Sequence, residues 1–410
     1  MFSRRVPSDH SANRLSAAVA RRRAEGLPII DLTESNPTRC GFQVDAGAIL
    51  AALSRPGSLV YEPHPQGLAL AREAVAGYYR EIGVAVDPDD LFLTTGTSEA
   101  YAMVFKLLAD PGDEVLVPTP GYPLLDVLTR LEGVRLIPYA LAWRETAAAW
   151  SIDLELLRAC VSTRTKAVVV VSPNNPTGSY LKRGELEGLN AMCRELGLAL
   201  VVDEVFSDYA AGPDPRRVRT AAAGAAATEA AATGASDAAL TFTLNGFSKL
   251  VGLPQLKLGW IHVGGPGNLA ADARERLAYI TDAFLSVSAA VQHAAPAVFR
   301  LRAGVQGQIQ ERLGANRAAL ENGLSGVAGC RVLPTEGGWY AVAALPPEVP
   351  DEALVVDLLE RDGVLVHPGY FYDFSAGSFL VLSLLPPAGD FREGIARVAA
   401  RLRRTVSGTG

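Results

Sequence analysis

The sequence lacks the cysteine and histidine patterns that hold a metal ion or a disulfide framework. It has only 4 cysteines and 5 histidines in 410 residues. The cysteines form no CxxC pair, and the histidines show no HExxH-like spacing. Such isolated thiols are typical of a reducing compartment, so we expect a cytoplasmic protein without structural zinc or disulfides. The cysteines are Cys40, Cys160, Cys193 and Cys330.

Long apolar runs and an excess of basic residues are also missing. The longest apolar runs, "AVVVV" (167–171) and "LGLALVV" (196–202), are far too short to span a bilayer. The formal net charge of −6 disfavours nucleic acid as a partner. Residues 1–23 are rich in arginine and poor in acidic residues, as organellar transit peptides are. We interpret them instead as a surface helix that precedes the predicted strand "LPIIDL".

Short apolar runs alternate with helical patterns between about residues 90 and 265. Strands that are apolar on both faces and separated by helices indicate a parallel sheet that is covered by helices on both sides. In such sheets, ligands bind beyond the carboxyl ends of the strands. The predicted strands are 91–94, 114–117, 167–171, 198–204, 240–243 and 258–263.

The length of the chain allows one large core and a second, smaller lobe. We predict an α/β fold, with a three-layer αβα large domain around a mostly parallel sheet and a smaller α+β domain. The large domain is predicted to be 48–298, and the small domain to be 1–47 together with 299–410. The alanine-rich tract 220–240 is interpreted as an exposed loop or a loose helical insertion without chemistry.

Two lysines, Lys249 and Lys257, lie in the unusually apolar stretch "FTLNGFSKLVGLPQLKLGW". A lysine amine becomes a nucleophile toward carbonyls when desolvation lowers its pKa, and Ser248 could donate a hydrogen bond beside it. The alternative is an ordinary strand-end lysine that extends its ammonium group into water.

Three other strand ends carry polar groups that could bind a ligand, each with a simpler structural alternative. Asp203 ends the strand "LALVV" and faces the ligand crevice or caps the next turn. Asn175, in "SPNNPTG", offers an amide donor or belongs to a tight turn. Gly96, Thr97 and Ser98 offer backbone N–H groups to an anion or only cap a helix.

Together these features supply what pyridoxal 5′-phosphate requires. Its phosphate needs a helix N-terminus and a cation, its ring nitrogen an anion, its phenolic oxygen a donor, and its aldehyde a lysine. From about Asp31 to its end, the chain resembles the class I/II aminotransferases, which are fold-type I pyridoxal phosphate enzymes. The resemblance implies ping-pong transamination between an amino acid and a 2-oxo acid.

The resemblance also implies roles for individual residues. Lys249 would form the internal Schiff base and carry the catalytic proton, and Asp203 would bind the ring nitrogen. Asn175 would donate to the phenolic oxygen, Lys257 would bind the phosphate, and Tyr122 would stack on the cofactor. The catalytic group is therefore expected to be Lys249, Asp203 and Tyr122.

Further contacts follow from the same resemblance. Tyr61, in "YEPHPQG", matches a tyrosine that reaches the phosphate of the neighbouring subunit, which implies a homodimer with shared active sites. The expected cofactor contacts are Tyr61, Gly96, Thr97, Ser98, Tyr122, Asn175, Asp203, Phe206, Ser248, Lys249 and Lys257. The expected substrate contacts are Ser35, Asn36, Arg39, Asn175, Trp339 and Tyr370.

The sequence departs from the family pattern at three positions. Lys257 replaces an arginine, so the two parallel hydrogen bonds that a guanidinium makes to phosphate are lost. Phe206 replaces a tyrosine near the phenolic oxygen. Val381 stands where the family has the arginine that binds the substrate carboxylate. Arg39, in "ESNPTR", is the candidate replacement for that arginine.

Other functions remain open from the sequence alone. A lyase, a racemase or another non-transaminating enzyme could use the same cofactor in a specialised pathway. A regulatory protein built on the same fold would usually add a DNA-binding domain, and no basic helix-turn-helix pattern is visible. A dinucleotide-dependent dehydrogenase is disfavoured because no GxGxxG follows an early strand.

Overall fold

The structure is a computed structural model that describes residues 1–8, 11–225 and 238–407. The α-helices are α1 (Arg14–Ala24), α2 (Ala46–Leu53), α3 (Ala69–Glu81), α4 (Thr97–Leu108), α5 (Leu124–Glu132), α6 (Leu154–Ala159), α7 (Arg183–Leu196), α8 (Phe247–Leu250), α9 (Gly267–Asp282), α10 (Ala289–Leu324), α11 (Asp351–Asp357) and α12 (Ala388–Ser407). The strands are β1 (Ile30–Asp31), β2 (Leu91–Thr94), β3 (Glu114–Thr119), β4 (Arg135–Arg144), β5 (Ala149–Ile152), β6 (Thr165–Val171), β7 (Ala199–Asp203), β8 (Thr241–Gly246), β9 (Gly259–Gly264), β10 (Arg331–Val332), β11 (Tyr340–Ala344), β12 (Val364–Leu365), β13 (His367–Pro368) and β14 (Phe379–Ser383). None of the described helices is both long and apolar enough to cross a membrane.

The large sheet has eight strands in the order β2-β9-β8-β7-β6-β3-β4-β5. Strands β8, β7, β6, β3 and β4 are parallel neighbours, which confirms the mostly parallel sheet. Strand β9 runs antiparallel to both β8 and β2, because only the four-residue helix α8 and a short 3₁₀ turn separate it from β8. The sequence patterns missed β4 and β5, which form one edge of the sheet.

Helices cover both faces of this sheet, as the apolar runs predicted. In β6, Ala167 and Val169 belong to one buried cluster, and Val168 and Val170 belong to another. Successive side chains of a strand point to opposite faces, so the two clusters lie on opposite sides of the sheet. Helices α4 and α9 contribute to the first cluster, and α6 and α7 contribute to the second. The αβα layering is therefore confirmed.

The second lobe contains the four-stranded antiparallel sheet β10-β11-β14-β13. The N-terminal segment joins this lobe, since β1 pairs with β12 and Leu15 and Leu32 are buried in the same core. Helix α10 is one continuous helix of 36 residues. The predicted domain boundary between residues 298 and 299 falls inside it, and the division into two domains stays a prediction.

The alanine-rich tract differs from its interpretation where the structure describes it. Thr220, Ala221 and Ala222 are buried, and a short 3₁₀ helix spans Ala221–Ala225. The Ala221 N–H donates to the buried Glu204 carboxylate at 2.7 Å, which fixes the start of the tract. The exposed-loop alternative was wrong for these residues, which are buried and begin a short helix, and the central part, 226–237, lies outside the described residues.

The site described below is positioned by strand ends. Strand β7 ends at Asp203, and β8 leads directly into α8, which carries Lys249. Strand β2 leads through Gly96 into α4. A Cβ atom on Gly259 would lie 2.8 Å from the Gly96 Cα, so glycine at 259 lets these two backbones meet beside the site.

Candidate active site

A cleft of about 280 Å³ lies at the carboxyl ends of the central parallel strands. Val171, the last residue of β6, and Asp203, the last residue of β7, both line it. The predicted site residues that line the cleft are Ser35, Thr97, Ser98, Tyr122, Asn175, Asp203, Phe206, Ser248 and Lys249. Residues as distant in the sequence as Ser35 and Lys249 are thus brought to one place.

Lys249 is half-buried on α8, and its amine is surrounded by aromatic rings. Its Nζ lies 4.8 Å from the centroid of Trp339 and 5.6 Å from that of Phe206. The Tyr209 hydroxyl donates to the Lys249 carbonyl at 2.7 Å, which holds this turn of the backbone in place. Burial lowers the pKa of Lys249 from 10.5 to about 8, although the negative charge of Asp203 acts in the opposite direction. The amine is therefore closer to its nucleophilic, neutral form than an ordinary lysine is.

We expect Lys249 in the cofactor-free protein to react with aldehydes with a midpoint near pH 8. The neutral amine is the reactive form, so reactivity should increase with pH through the pKa and then level off. Reductive labelling with a small aldehyde at a series of pH values, read by mass spectrometry of the Lys249 peptide, measures this midpoint. In an Asp203→Asn protein the midpoint should decrease further, because the charge that stabilises the ammonium form is removed. A midpoint above about pH 10, the ordinary lysine range, would contradict the prediction.

Asp203 is buried at the end of β7. One carboxylate oxygen accepts a hydrogen bond from the Val205 N–H at 3.0 Å. Burial raises the pKa of Asp203 to about 6, while the Val205 N–H, the Tyr101 hydroxyl and the charge of Lys249 act to lower it. Above that pH the carboxylate carries a buried negative charge, which would stabilise a cationic nitrogen placed against it.

The segment from Gly96 to Ser98, together with Lys257, forms a candidate anion-binding site, called here the anion place. Gly96 has a φ of 148°, in a region that favours glycine, and it directly precedes α4. A Cβ atom on Gly96 would lie 3.8 Å from the Lys257 Nζ, so the lysine amine stands beside the helix N-terminus. A helix N-terminus with an adjacent cation fits a phosphate group.

Asn175 provides a further observation in favour of a bound group. It is buried in the cleft wall, and its Oδ1 has no hydrogen-bond partner among the residues the structure describes. A buried polar atom without a partner is costly unless a ligand or water satisfies it. The Oδ1 is an acceptor, so it would need a donor from the bound group, while the amide nitrogen of Asn175 is the atom that could donate to a phenolic oxygen. The anion place, the buried carboxylate, the amide nitrogen and the amine together fit the predicted cofactor.

Seven predicted residues do not line the cleft: Gly96 and Lys257 stand at the anion place, and five others lie elsewhere. Tyr61 is exposed and lines a separate cavity together with Glu99 and Ser286. Trp339 is fully buried beneath Lys249, and Tyr370 is exposed in the segment 369–372. Arg39 is exposed, with its guanidinium 3.9 Å from Glu34, and the Asn36 side chain caps the turn at Thr38.

Sequence reasoning missed two tyrosines of the site. Tyr101 on α4 lines the cleft near Asp203, and Tyr340 at the start of β11 lines it near Ser35 and Asn175. The motif "EGGWY" pointed to Trp339, whose ring packs against Phe206, as the Tyr340 ring does. Of these two residues, Tyr340 lines the cleft and Trp339 does not. The choice between them depends on the register of β11 against β14, which no local sequence pattern contains.

The cleft wall has an unusual charge pattern. No arginine lines it in residues 1–8, 11–225 and 238–407. Val381 on β14 is only 1% exposed and packs in the core of the smaller lobe. The described residues also contain no cluster of His, Cys, Asp and Glu that could hold a metal ion.

Comparison with known protein families gives an extensive match. The sequence model of the family described as "Aminotransferase class I and II" matches residues 28–392. The chain is 30% identical to the alanine aminotransferase of Mycobacterium tuberculosis over 390 residues, which cover 92% of this chain and 86% of that protein. It is 29% identical to the valine–pyruvate aminotransferase of the same organism over 391 residues, which cover 94% of both proteins.

Solved structures share the same fold. The alanine aminotransferase from Pyrococcus furiosus superposes with a TM-score of 0.85 at 23% identity. The match covers 98% of this chain and all of that one. At this level of identity the likeness shows the fold alone.

Proposed function

Because this chain belongs to the class I and II aminotransferase family, we propose that it moves an amino group from an amino acid to a 2-oxo acid by a ping-pong mechanism. The observation that carries the proposal is the pair Lys249 and Asp203 in one cleft, with the pKa of the amine lowered to about 8 and that of the carboxyl raised to about 6. Opposed shifts of this kind are typical of catalytic groups.

We propose pyridoxal 5′-phosphate as the cofactor, which when bound supplies an aldehyde for covalent attachment and a ring that accepts electrons from the substrate. Lys249 would hold the aldehyde end, Asp203 the ring nitrogen, and Asn175 the phenolic oxygen. Gly96, Thr97, Ser98 and Lys257 would hold the phosphate. Tyr122, which is half exposed at the cleft, would lie along the ring.

In the catalytic step, the Lys249 Nζ would remove the proton from the substrate Cα and later return a proton. A general base works best when its pKa lies near the working pH, and about 8 meets this condition. The amine lies beside the rings of Trp339 and Phe206, and its burial in the cleft wall keeps its pKa low.

The walls of the cleft favour an uncharged substrate side chain. Apolar side chains line it, and no arginine from the described residues offers a partner to a second carboxylate. The apolar lining residues include Leu124, Leu125, Val171, Val205 and Phe206. The relatives named for alanine, for valine and pyruvate, and for glutamate and pyruvate each have at least one substrate of this class in their names. We therefore propose small or apolar amino acids as donors.

We further propose a homodimer in the cytoplasm. Tyr61 is 81% exposed within an exposed apolar segment that includes Leu59 and Val60, which suits contact with a second subunit. All four cysteines are free, which suits a reducing compartment.

A donor screen tests the proposed function. The protein loaded with pyridoxal phosphate is mixed with single amino acids, without any acceptor, and the visible absorption of the cofactor is followed. We expect alanine, valine and similar donors to convert the cofactor stoichiometrically to its aminated form, and a 2-oxo acid to restore it. Release of ammonia without an acceptor would instead indicate a lyase, and loss of optical purity alone would indicate a racemase.

A further inference from the structure

The carboxylate of the substrate requires a partner that the cleft does not provide in the form of an arginine. Amino acids and 2-oxo acids both carry a carboxylate, and removing it from water is costly without hydrogen bonds. Among the described residues that line the cleft, Lys249 is the only cation. Lys257 lies at the anion place beside Gly96, and Val381 offers only methyl groups.

Strand register places a different polar side chain near Val381. Strands β11 and β14 are antiparallel, with Tyr340 opposite Ser383 and Val342 opposite Val381. Residues directly opposite each other share a face of the sheet, and so do residues two apart on one strand. Tyr340 is therefore the diagonal neighbour of Val381 on the same face. Its longer side chain reaches the cleft, which Val381 does not line.

The Tyr340 hydroxyl has polar neighbours from two other segments. Ser35 and Asn175 lie against it, and all three residues line the cleft. Tyr122 and Glu34 also act on it electrostatically. Burial raises the pKa of Tyr340 to about 12, so the hydroxyl keeps its proton and remains a donor near neutral pH. Hydrogen bonds with Ser35 and Asn175 act to lower that pKa, so the three side chains form one hydrogen-bonded group, in which Ser35 supplies a second hydroxyl.

We propose that the hydroxyls of Tyr340 and Ser35 bind the substrate carboxylate in place of an arginine, an arrangement called here the uncharged carboxylate clamp. The inference rests on the proposed function, because it assigns the binding group of the same site. Two neutral donors replace the bidentate fork of a guanidinium, so carboxylate binding depends on hydrogen bonds from uncharged groups. Tyr340 is thus a binding residue for amino acid and 2-oxo acid alike.

The kinetic test uses a Tyr340→Phe variant of the enzyme loaded with cofactor. We expect KM for an amino acid to increase about 10- to 100-fold, since one hydrogen bond to a charged group is lost. The visible absorption of the bound cofactor and kcat should remain near the wild-type values. The kcat/KM for the corresponding amine without a carboxylate, such as 2-phenylethylamine against phenylalanine, should not change. An equal loss for amine and amino acid, or no loss for either, would overturn the clamp.

Tyr372→Phe is the matched control. Its ring centroid lies 6.5 Å from that of Tyr340, and its hydroxyl lies 3.1 Å from the His367 Nδ1. The same chemical change at this position removes a hydroxyl from the same aromatic group, and Tyr372 itself does not line the cleft. We expect it to leave KM unchanged, and a loss equal to that of Tyr340→Phe would mean that packing, not the cleft hydroxyl, is responsible.

A binding measurement separates failure of the clamp from failure of the proposed function. Calorimetry compares 3-phenylpropanoate with its primary amide, neither of which can react. Wild-type protein should bind the carboxylate more tightly than the amide. In Tyr340→Phe the ratio of the two Kd values should decrease about 10-fold. If the preference depends on Tyr340 while no amino acid is transaminated, the clamp stands and the proposed function fails. If amino acids are transaminated but the preference is absent or survives in Tyr340→Phe, the clamp is overturned and the function stands.

Discussion

A Lys249→Ala protein is expected to lose transamination by about 10⁴-fold or more, because one side chain supplies two functions. It would hold the aldehyde end of the cofactor, and its Nζ would move the proton at the substrate Cα. The measurement is the rate of the half-reaction with a good amino donor, followed by cofactor absorption. Borohydride treatment should no longer fix the cofactor to the protein.

Lys166→Ala is the control for this change. Lys166 lies on β6 outside the cleft, and its amine is 3.6 Å from the Asp113 carboxylate. Its removal should leave the half-reaction near the wild-type rate. A Lys249→Ala protein that still gave a borohydride-stable adduct with visible absorption would show that another amine holds the cofactor.

An Asp203→Asn protein is expected to lose about 10²- to 10⁴-fold in kcat/KM. The amide keeps the shape of the side chain but carries no charge, so nothing in the cleft stabilises a protonated ring nitrogen. The cofactor should still attach to Lys249, which separates this variant from Lys249→Ala. The measurement is again the half-reaction with an amino donor.

The Asp203→Asn change is expected to lower activity without lowering the stability of the cofactor-free protein. Burial raises the pKa of Asp203 from 3.8 to about 6, so the folded protein binds more protons than the unfolded chain between these values. The free energy of unfolding of the cofactor-free protein therefore decreases as pH increases through this window. The Asp203→Asn variant should lack this decrease and should not melt earlier than wild type at neutral pH.

Glu204→Gln is the matched control for Asp203→Asn. Glu204 is also buried, but its carboxylate accepts from the Ala221 N–H, away from the cleft. The glutamine oxygen can accept the same hydrogen bond, so activity should remain near wild type. An equal loss in both variants would contradict the specific role of Asp203.

The sequence predicted the parts of the fold that depend on local patterns. Runs such as 167–171 are apolar on both faces, and this property identifies a strand inside a covered parallel sheet. Strand β4 was missed because only Tyr139 and Leu141 of its ten residues are buried, so it contains no continuous apolar run. The antiparallel direction of β9 depends on how the chain returns after α8, which no local pattern contains.

Local sequence patterns also identified only part of the candidate site. Lys249, Asp203 and Asn175 were found because each follows a recognisable strand end, and the structure brings them to one cleft. Tyr340 was missed because choosing it over Trp339 requires the register of β11 against β14. Arg39 was chosen for its charge, but its position depends on the packing of the N-terminal segment.

Helix α10 restricts how the two lobes can move. Residues Ala294 and Val298 pack in the core beside the large sheet, and Ile309 and Leu320 pack in the core of the second lobe. No loop interrupts the helix between these contacts, and Pro296, which lacks an N–H, lies close to the crossing. On this side of the molecule, any rotation of one lobe against the other would therefore have to bend this helix.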